Sequence, residues 1–137
     1  MSLSQSAVIR MIATGLATPF IGFGINAIFN PDGALAIFEL PSPPADRVLV
    51  DSLMAVYGIR NIFIGFAIYA ASFLGTSRSL GWTLIGASAV AFGDGVICWT
   101  HGHGQWGHWQ YAPMFTLLGS VILGVFDGPW AFLTGQK

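Results

Sequence analysis

Four long apolar stretches divide the chain, covering residues 7–29, 50–74, 80–100 and 111–133. Each is close to the roughly 20 residues that a helix needs to cross hydrocarbon. Inside lipid every backbone N–H and C=O must be paired within its own segment, so runs of this length predict helices. The expected fold is all-α, an integral membrane four-helix bundle forming one domain over residues 1–137. Gly15, Gly22, Gly65, Gly86 and Gly119 fall within the runs, where small residues let membrane helices approach closely. Pro19 predicts a kink in the first helix.

The connections differ in character. Residues 30–47, NPDGALAIFELPSPPADR, contain an apolar piece too short to span, suited to the membrane interface, followed by an SPP segment that favours extended backbone. GTSR is a tight link between the second and third runs. HGHGQWGHWQ joins the third to the fourth. Trp99, Trp106 and Trp109 around it are placed for an aromatic belt at headgroup level. The N-terminal run is longer than the core of a signal peptide, so it is read as a retained first helix. Arg10, Arg78 and Lys137 fall on one side of a four-span topology and only Arg47 on the other. The positive-inside rule then places both termini in the cytosol, with the endoplasmic reticulum as the expected membrane.

Composition sharpens the class. The chain is 54% hydrophobic and 8% charged, where soluble domains carry about 25% charged residues. Five Lys and Arg residues against six Asp and Glu give a net charge of −1. No basic stripe exists to neutralise phosphates, so nucleic acid is not an expected partner. Cys98 is the single cysteine. It excludes an intrachain disulfide and reads as a buried structural thiol.

Two charges inside apolar runs change the picture. Arg60 lies in the second run and Asp94 in the third. An unpaired charge in hydrocarbon costs a few kcal/mol, so such residues face a polar interior and usually one another. Counted along their helices, both fall in the half nearest the long first connection. Asn26 at the end of the first helix joins them. Tyr57 and Asn61 share a face at i, i+4 spacing, and Asp94, Cys98 and His101 follow i, i+4, i+7. One reading is a buried salt bridge that fixes helix packing. The other is a small-molecule pocket, for which several polar groups converging within apolar walls are the usual form. Asp51, at the start of the second helix, and Trp99 stand at the mouth of that pocket as substrate-binding candidates. Asp127 reads as a helix-end residue. His101, His103 and His108 lack the helical spacing of a preformed zinc site, and no metal is expected.

A carboxylate held ionised by Arg60 is suited to general-base catalysis, with Tyr57, His101 or a protonated carboxyl such as Asp51 as the acid. Epoxide opening, hydration, cyclisation or double-bond isomerisation of a lipophilic substrate fits this chemistry without a cofactor. No nucleophile elbow, phosphate loop or dinucleotide fingerprint is present.

The segments YGIRNIFIG, FGDGVICWTHG and FNPDGALAIFELPSPP together resemble a family of small four-helix membrane proteins common in fungi, most without assigned function. Some of its members resemble the small membrane proteins of aurovertin- and citreoviridin-type polyketide pathways. The resemblance implies an epoxide hydrolase or cyclase of secondary metabolism acting on a lipophilic polyketide. The motif residues map to Gly58, Arg60 and Asn61, and to Gly93, Asp94 and Gly95. Asn61 stands where an acid is expected, which puts more weight on Asp94 as the base. The alternative function is a non-catalytic lipid-binding, transport or scaffold subunit. It would require a homo-oligomer or a stoichiometric membrane partner.

Overall fold

The computed structural model describes residues 3–40 and 44–128. Among them the chain is helical throughout, with no strand. After a short 3-10 turn at Leu3–Gln5 come α1 (Ala7–Gly15), α2 (Ala17–Phe29), α3 (Pro31–Ile37), α4 (Arg47–Phe73), α5 (Ser77–Thr100), α6 (Trp106–Trp109) and α7 (Ala112–Ile122).

Local chemistry sets most of these boundaries. α1 and α2 form one rod of 23 residues, Ala7–Phe29, interrupted at Leu16. Pro19 has no N–H to offer the Gly15 carbonyl four residues earlier, and the helix loosens there. Asn30 ends α2 and begins α3, its side chain accepting the Gly33 N–H at 3.2 Å, with Pro31 in the first helical position. Asp46 caps α4 through the Leu49 N–H at 3.0 Å. Thr76 and Ser79 form a reciprocal capping box at the start of α5.

Three helices, Ala7–Phe29, Arg47–Phe73 and Ser77–Thr100, are long and apolar enough to cross a membrane. The outer face of Arg47–Phe73 carries Val56, Phe63, Phe66 and Phe73, each more than 60% exposed, and the other two expose Phe23, Trp82 and Ile97. A soluble monomer does not present so continuous an apolar surface, and these are the marks of a membrane protein. The expected fourth spanning helix over 111–133 is not found as such. α7 has 11 residues, about 16 Å of rise, half of a hydrocarbon core. It ends where Gly124 takes φ +81° and the Gly124 and Val125 N–H groups close back on the Val121 and Ser120 carbonyls. The remainder of that expected helix, 129–133, lies outside the described residues, as do Ser42 and Pro43 of the SPP segment and Lys137.

Between α5 and α7 the chain folds back along α5 instead of leaving it. The Trp109 indole N–H donates to the Phe92 carbonyl at 3.3 Å, and Gly95 leaves the room that this indole occupies. α7 then starts level with Ser88, whose hydroxyl donates to the Ala112 carbonyl at 2.8 Å. The fourth rod is therefore broken, its first half supplied by the short α6 and the turns around it. Non-helical backbone at such a level is tolerated where protein buries it.

Two tight helix pairs, α2 with α4 and α5 with α7, meet along α4 and α5. The core between them runs through Ala13, Ala17, Phe20, Ile64, Ile68, Leu80, Leu84 and Phe115. A second cluster, Ala27, Ala34, Leu35, Phe38 and Met54, packs α3 onto α2 and α4. The short apolar piece of the first connection is thus folded against the protein. At the opposite end Arg10 ties α1 to the next helix junction, donating to the Ser72 carbonyl at 2.6 Å and the Ser77 hydroxyl at 3.1 Å. Asp127 accepts the Leu3 and Ser4 N–H groups at 2.8 and 3.2 Å, a helix-end role.

Candidate functional site

Arg60 and Asp94 meet. The guanidinium Nη1 donates to Asp94 Oδ1 at 3.1 Å and Nη2 to Oδ2 at 2.6 Å. This is the parallel, two-bond geometry in which Arg holds a carboxylate most firmly. The Asp94 side chain is 18% exposed and that of Arg60 39%. The guanidinium carbon also lies 4.8 Å from the centre of the Tyr57 ring, a cation–π distance. Its Nε is buried and has no partner among the described residues.

The histidine beside Asp94 is His108. Its Nδ1 lies 4.0 Å from Asp94 Oδ2 and 3.2 Å from the Tyr111 hydroxyl. The ring is 2% exposed and stacks flat on Phe38, 5.0 Å between centres and 6° between planes. Burial pushes its pKa down, the Asp94 carboxylate opposes that shift and Arg60 adds to it, so the neutral imidazole is favoured. Sequence spacing had pointed to His101, which follows Asp94 at helical intervals. But His101 already caps α5, with non-helical backbone, and its exposed ring turns to the Ile97 carbonyl at 2.8 Å. Helical periodicity holds only inside a helix, and His101 is one residue past its end.

The turn that delivers His108 depends on Gly104. Its φ is +74°, and a Cβ there would collide with the Phe38 carbonyl. Its N–H donates to Glu39 Oε2 at 3.2 Å, and Glu39 itself holds φ +58°. Both sides of this contact thus adopt left-handed backbone, which costs a residue with a side chain about 1 kcal/mol or more. Gly104→Ala is expected to lower unfolding free energy by about 2 kcal/mol or more, from backbone strain and the Phe38 clash together. The check is reversible unfolding in mixed micelles. A variant as stable as the wild type would show that this docking is not needed.

Next to these groups α2, α4 and α7 enclose a cavity of about 190 Å³. Its walls are mainly apolar, from Phe20, Phe23, Met114 and Phe115, and its polar edge comes from Tyr57, Asn61 and Tyr111. Asn61 is 4% exposed. Its Nδ2 is buried and makes no regular hydrogen bond among the described residues, its neighbour being the Tyr57 hydroxyl one turn earlier. Arg60 and Asp94 are not in the cavity wall. Tyr57 and Tyr111 are common to both, each lining the cavity, Tyr57 against the Arg60 guanidinium and Tyr111 against His108.

The other sequence candidates go elsewhere. Asn26 accepts from the Asn30 amide at 3.3 Å and edges a small neighbouring recess. Asp51 pairs with Arg47 at 3.0 Å, and Arg47 also grips both oxygens of Asp32 at 2.9 Å. Trp99 is exposed and leans on Trp109, 6.5 Å between ring centres. Cys98 is unbonded and half-buried. Among the described residues no three His, Cys, Asp or Glu side chains are grouped to hold a metal ion.

No curated protein and no solved structure matches the chain. A family model described as a domain of unknown function, DUF4267, matches residues 9–122. That stretch includes Arg60, Asp94, His108, Tyr111 and every residue of the cavity wall, and it spans most of the sequence: the chain belongs to the DUF4267 family.

Proposed function

We propose that this protein is a membrane-embedded enzyme that opens an epoxide of a lipophilic substrate, by hydrolysis or cyclisation, through general acid–base catalysis. The observation that carries the reading is the row Arg60–Asp94–His108–Tyr111, which runs from a firmly held carboxylate to the edge of an apolar-walled cavity. In hydrolysis a water gives its proton to the base as its oxygen attacks an epoxide carbon. The carbon–oxygen bond breaks and the departing oxygen takes a proton from the acid. In cyclisation a hydroxyl of the substrate replaces the water. Asp94 is the base, His108 Nδ1 standing beside both it and the Tyr111 hydroxyl, and Tyr111 or Tyr57 is the acid. The 4.0 Å between Asp94 and His108 is longer than a hydrogen bond. Such contacts commonly tighten when substrate is bound. The polyketide substrate class follows from the sequence resemblance.

The test is turnover of a lipophilic epoxide by the protein in nanodiscs, in isotope-labelled water. Label in the product identifies hydrolysis, and unlabelled ring product identifies cyclisation. Asp94→Asn and Tyr111→Phe are each expected to lower the rate at least about 100-fold. Full activity in Asp94→Asn overturns the assignment of the base.

One observation favours a second reading, a non-catalytic lipid-binding subunit: Asp94 does not line the cavity. Ligand binding with no turnover of any epoxide selects that alternative. For topology, we infer that both termini face the cytosol. Arg10 and Arg78 sit at one end of the helices and Arg47 at the other, and the positive-inside rule favours the end with more cations in the cytosol.

A further inference from the structure

We propose that the cavity between α2, α4 and α7 takes in one end of a long lipophilic molecule sideways from the bilayer, while the rest of that molecule's chain stays in the lipid. The inference rests on the preceding reading only in making the reacting, oxygen-bearing end the one that enters, and binding alone tests it.

Three observations converge. The first is a cleft on the lipid side. The two tight helix pairs meet along α4 and α5, which leaves α2 and α7 facing each other without forming a pair of their own. Phe20 and Phe115 touch across this cleft, 5.2 Å between ring centres. Beside them Pro19 and Phe23 on α2 and Met114 on α7 line the cavity. All three are also exposed on the outer face, Phe23 by 45% and Met114 by 41%. Pro19 adjoins the midpoint of the spanning rod Ala7–Phe29. A mouth at that level opens into hydrocarbon, which extends about 15 Å to either side of a bilayer midplane.

The second is the gradient of polarity across the cavity. Tyr57, Asn61 and Tyr111 line it and are half-buried or buried, whereas Phe23 and Met114 are exposed. The polar edge thus lies inward and the apolar edge faces the lipid. A molecule with one oxygen-bearing end fits this arrangement only with that end inside. Hydrocarbon left at the mouth needs no cover from protein, because lipid tails are as apolar as the side chains around it.

The third is size. An apolar protein cavity of about 150 Å³ takes up benzene, and this one measures about 190 Å³. It holds roughly one ring with a small substituent. A longer chain cannot be enclosed and has to leave by the mouth. The way toward α3 is narrow: a recess of about 20 Å³ remains between Ile37, Phe38, Tyr57 and Tyr111, room for about one water. Selection therefore acts on what stands near one end of the substrate, and its overall length is free.

The experiment uses the full chain in nanodiscs with para-alkyl-ortho-fluoroanisoles carrying methyl, hexyl or dodecyl tails, bound populations being read by fluorine NMR. After correction for bilayer partitioning the series is expected to bind within about three-fold, because each added methylene stays in lipid and is not buried anew. An isomer of the dodecyl probe, with a hexyloxy and a heptyl chain on the same ring, holds its ring and oxygen in mid-chain. It should bind at least about ten-fold more weakly. Met114→Trp and Phe23→Trp narrow the mouth, and each should weaken the dodecyl probe at least about ten-fold relative to the methyl one. Affinity that falls steadily as the tail lengthens in the wild type, equal binding of the two isomers, or no discrimination against the long tail in either mouth variant overturns the proposal. The outcomes separate from those of catalysis. Tail-tolerant binding without epoxide turnover leaves this inference standing and removes the enzyme. Asp94-dependent turnover with binding that falls as the tail lengthens does the reverse.

Discussion

Asp94→Leu alone is expected to destabilise the protein by about 3 kcal/mol, whereas Arg60→Met combined with Asp94→Leu should recover most of that loss and remain inactive. The single substitution leaves the Arg60 guanidinium with neither of its two carboxylate bonds beside an apolar girdle. Stranding one member of a buried ion pair typically costs about 3–5 kcal/mol, while replacing both members by apolar residues is often neutral or stabilising. Arg60 is 39% exposed, so a value at the low end applies. It agrees with the few kcal/mol assigned to a lone charge within a spanning helix. Reversible unfolding in mixed micelles gives the stability, and epoxide turnover in nanodiscs the activity. The pair of measurements separates two roles that one substitution confounds. A folded and active double variant would reduce Arg60–Asp94 to a packing device. A double variant as unstable as the single would mean that the aspartate contributes through something other than its charge partner.

Gly58→Ala should cost about 2 kcal/mol and Gly24→Ala a similar amount, with the double variant costing clearly less than their sum. α2 and α4 cross so closely that a Cβ on Gly24 would sit 2.5 Å from the Gly58 carbonyl oxygen, and one on Gly58 would sit 2.5 Å from the Gly24 carbonyl oxygen. No real contact of that kind is tolerated, and both obstructing atoms are backbone, so the helices must separate. Overpacking of this sort costs about 1–3 kcal/mol. A single separation relieves both clashes, which is why the energies should not add. The same displacement moves Tyr57, adjacent to Gly58, and Asn61, one turn on, away from α2. Ligand binding in the cavity should therefore weaken together with stability. Additive losses, or a stable Gly58→Ala, would show that the crossing is looser than the backbone contact implies.

Much of the constellation was legible in the residues themselves. Arg60 and Asp94 are conspicuous because charge in a hydrophobic run demands a partner, and counting 1.5 Å per residue along each helix put them at one level. Tyr57 and Asn61 were placed on the cavity side of α4 by the same helical repeat that the structure displays. Where the helix stops, that repeat stops informing. His101 was assigned to the Asp94 face by a periodicity its own backbone no longer follows. Nothing in the sequence singled out His108 from the other two histidines of its loop, because it reaches Asp94 through a glycine-rich reversal whose direction no periodic pattern encodes. The rod over 111–133 read as one helix from its hydrophobicity alone. Hydropathy does not register a helix end built from a positive-φ glycine and two backbone hydrogen bonds.

By itself, then, the sequence determined an all-helical chain with long spans suited to lipid and the presence of a charged pair within them. Those follow from transfer energetics and backbone pairing, which act on each segment separately. The tertiary structure adds which histidine stands beside the aspartate, that the fourth rod is broken, and that Tyr57, Asn61 and Tyr111 edge one apolar-walled cavity. These depend on how segments far apart in sequence pack together. The close approach of two glycine-faced helices and the docking of Gly104 on Phe38 set that geometry, and neither is a property of any one segment.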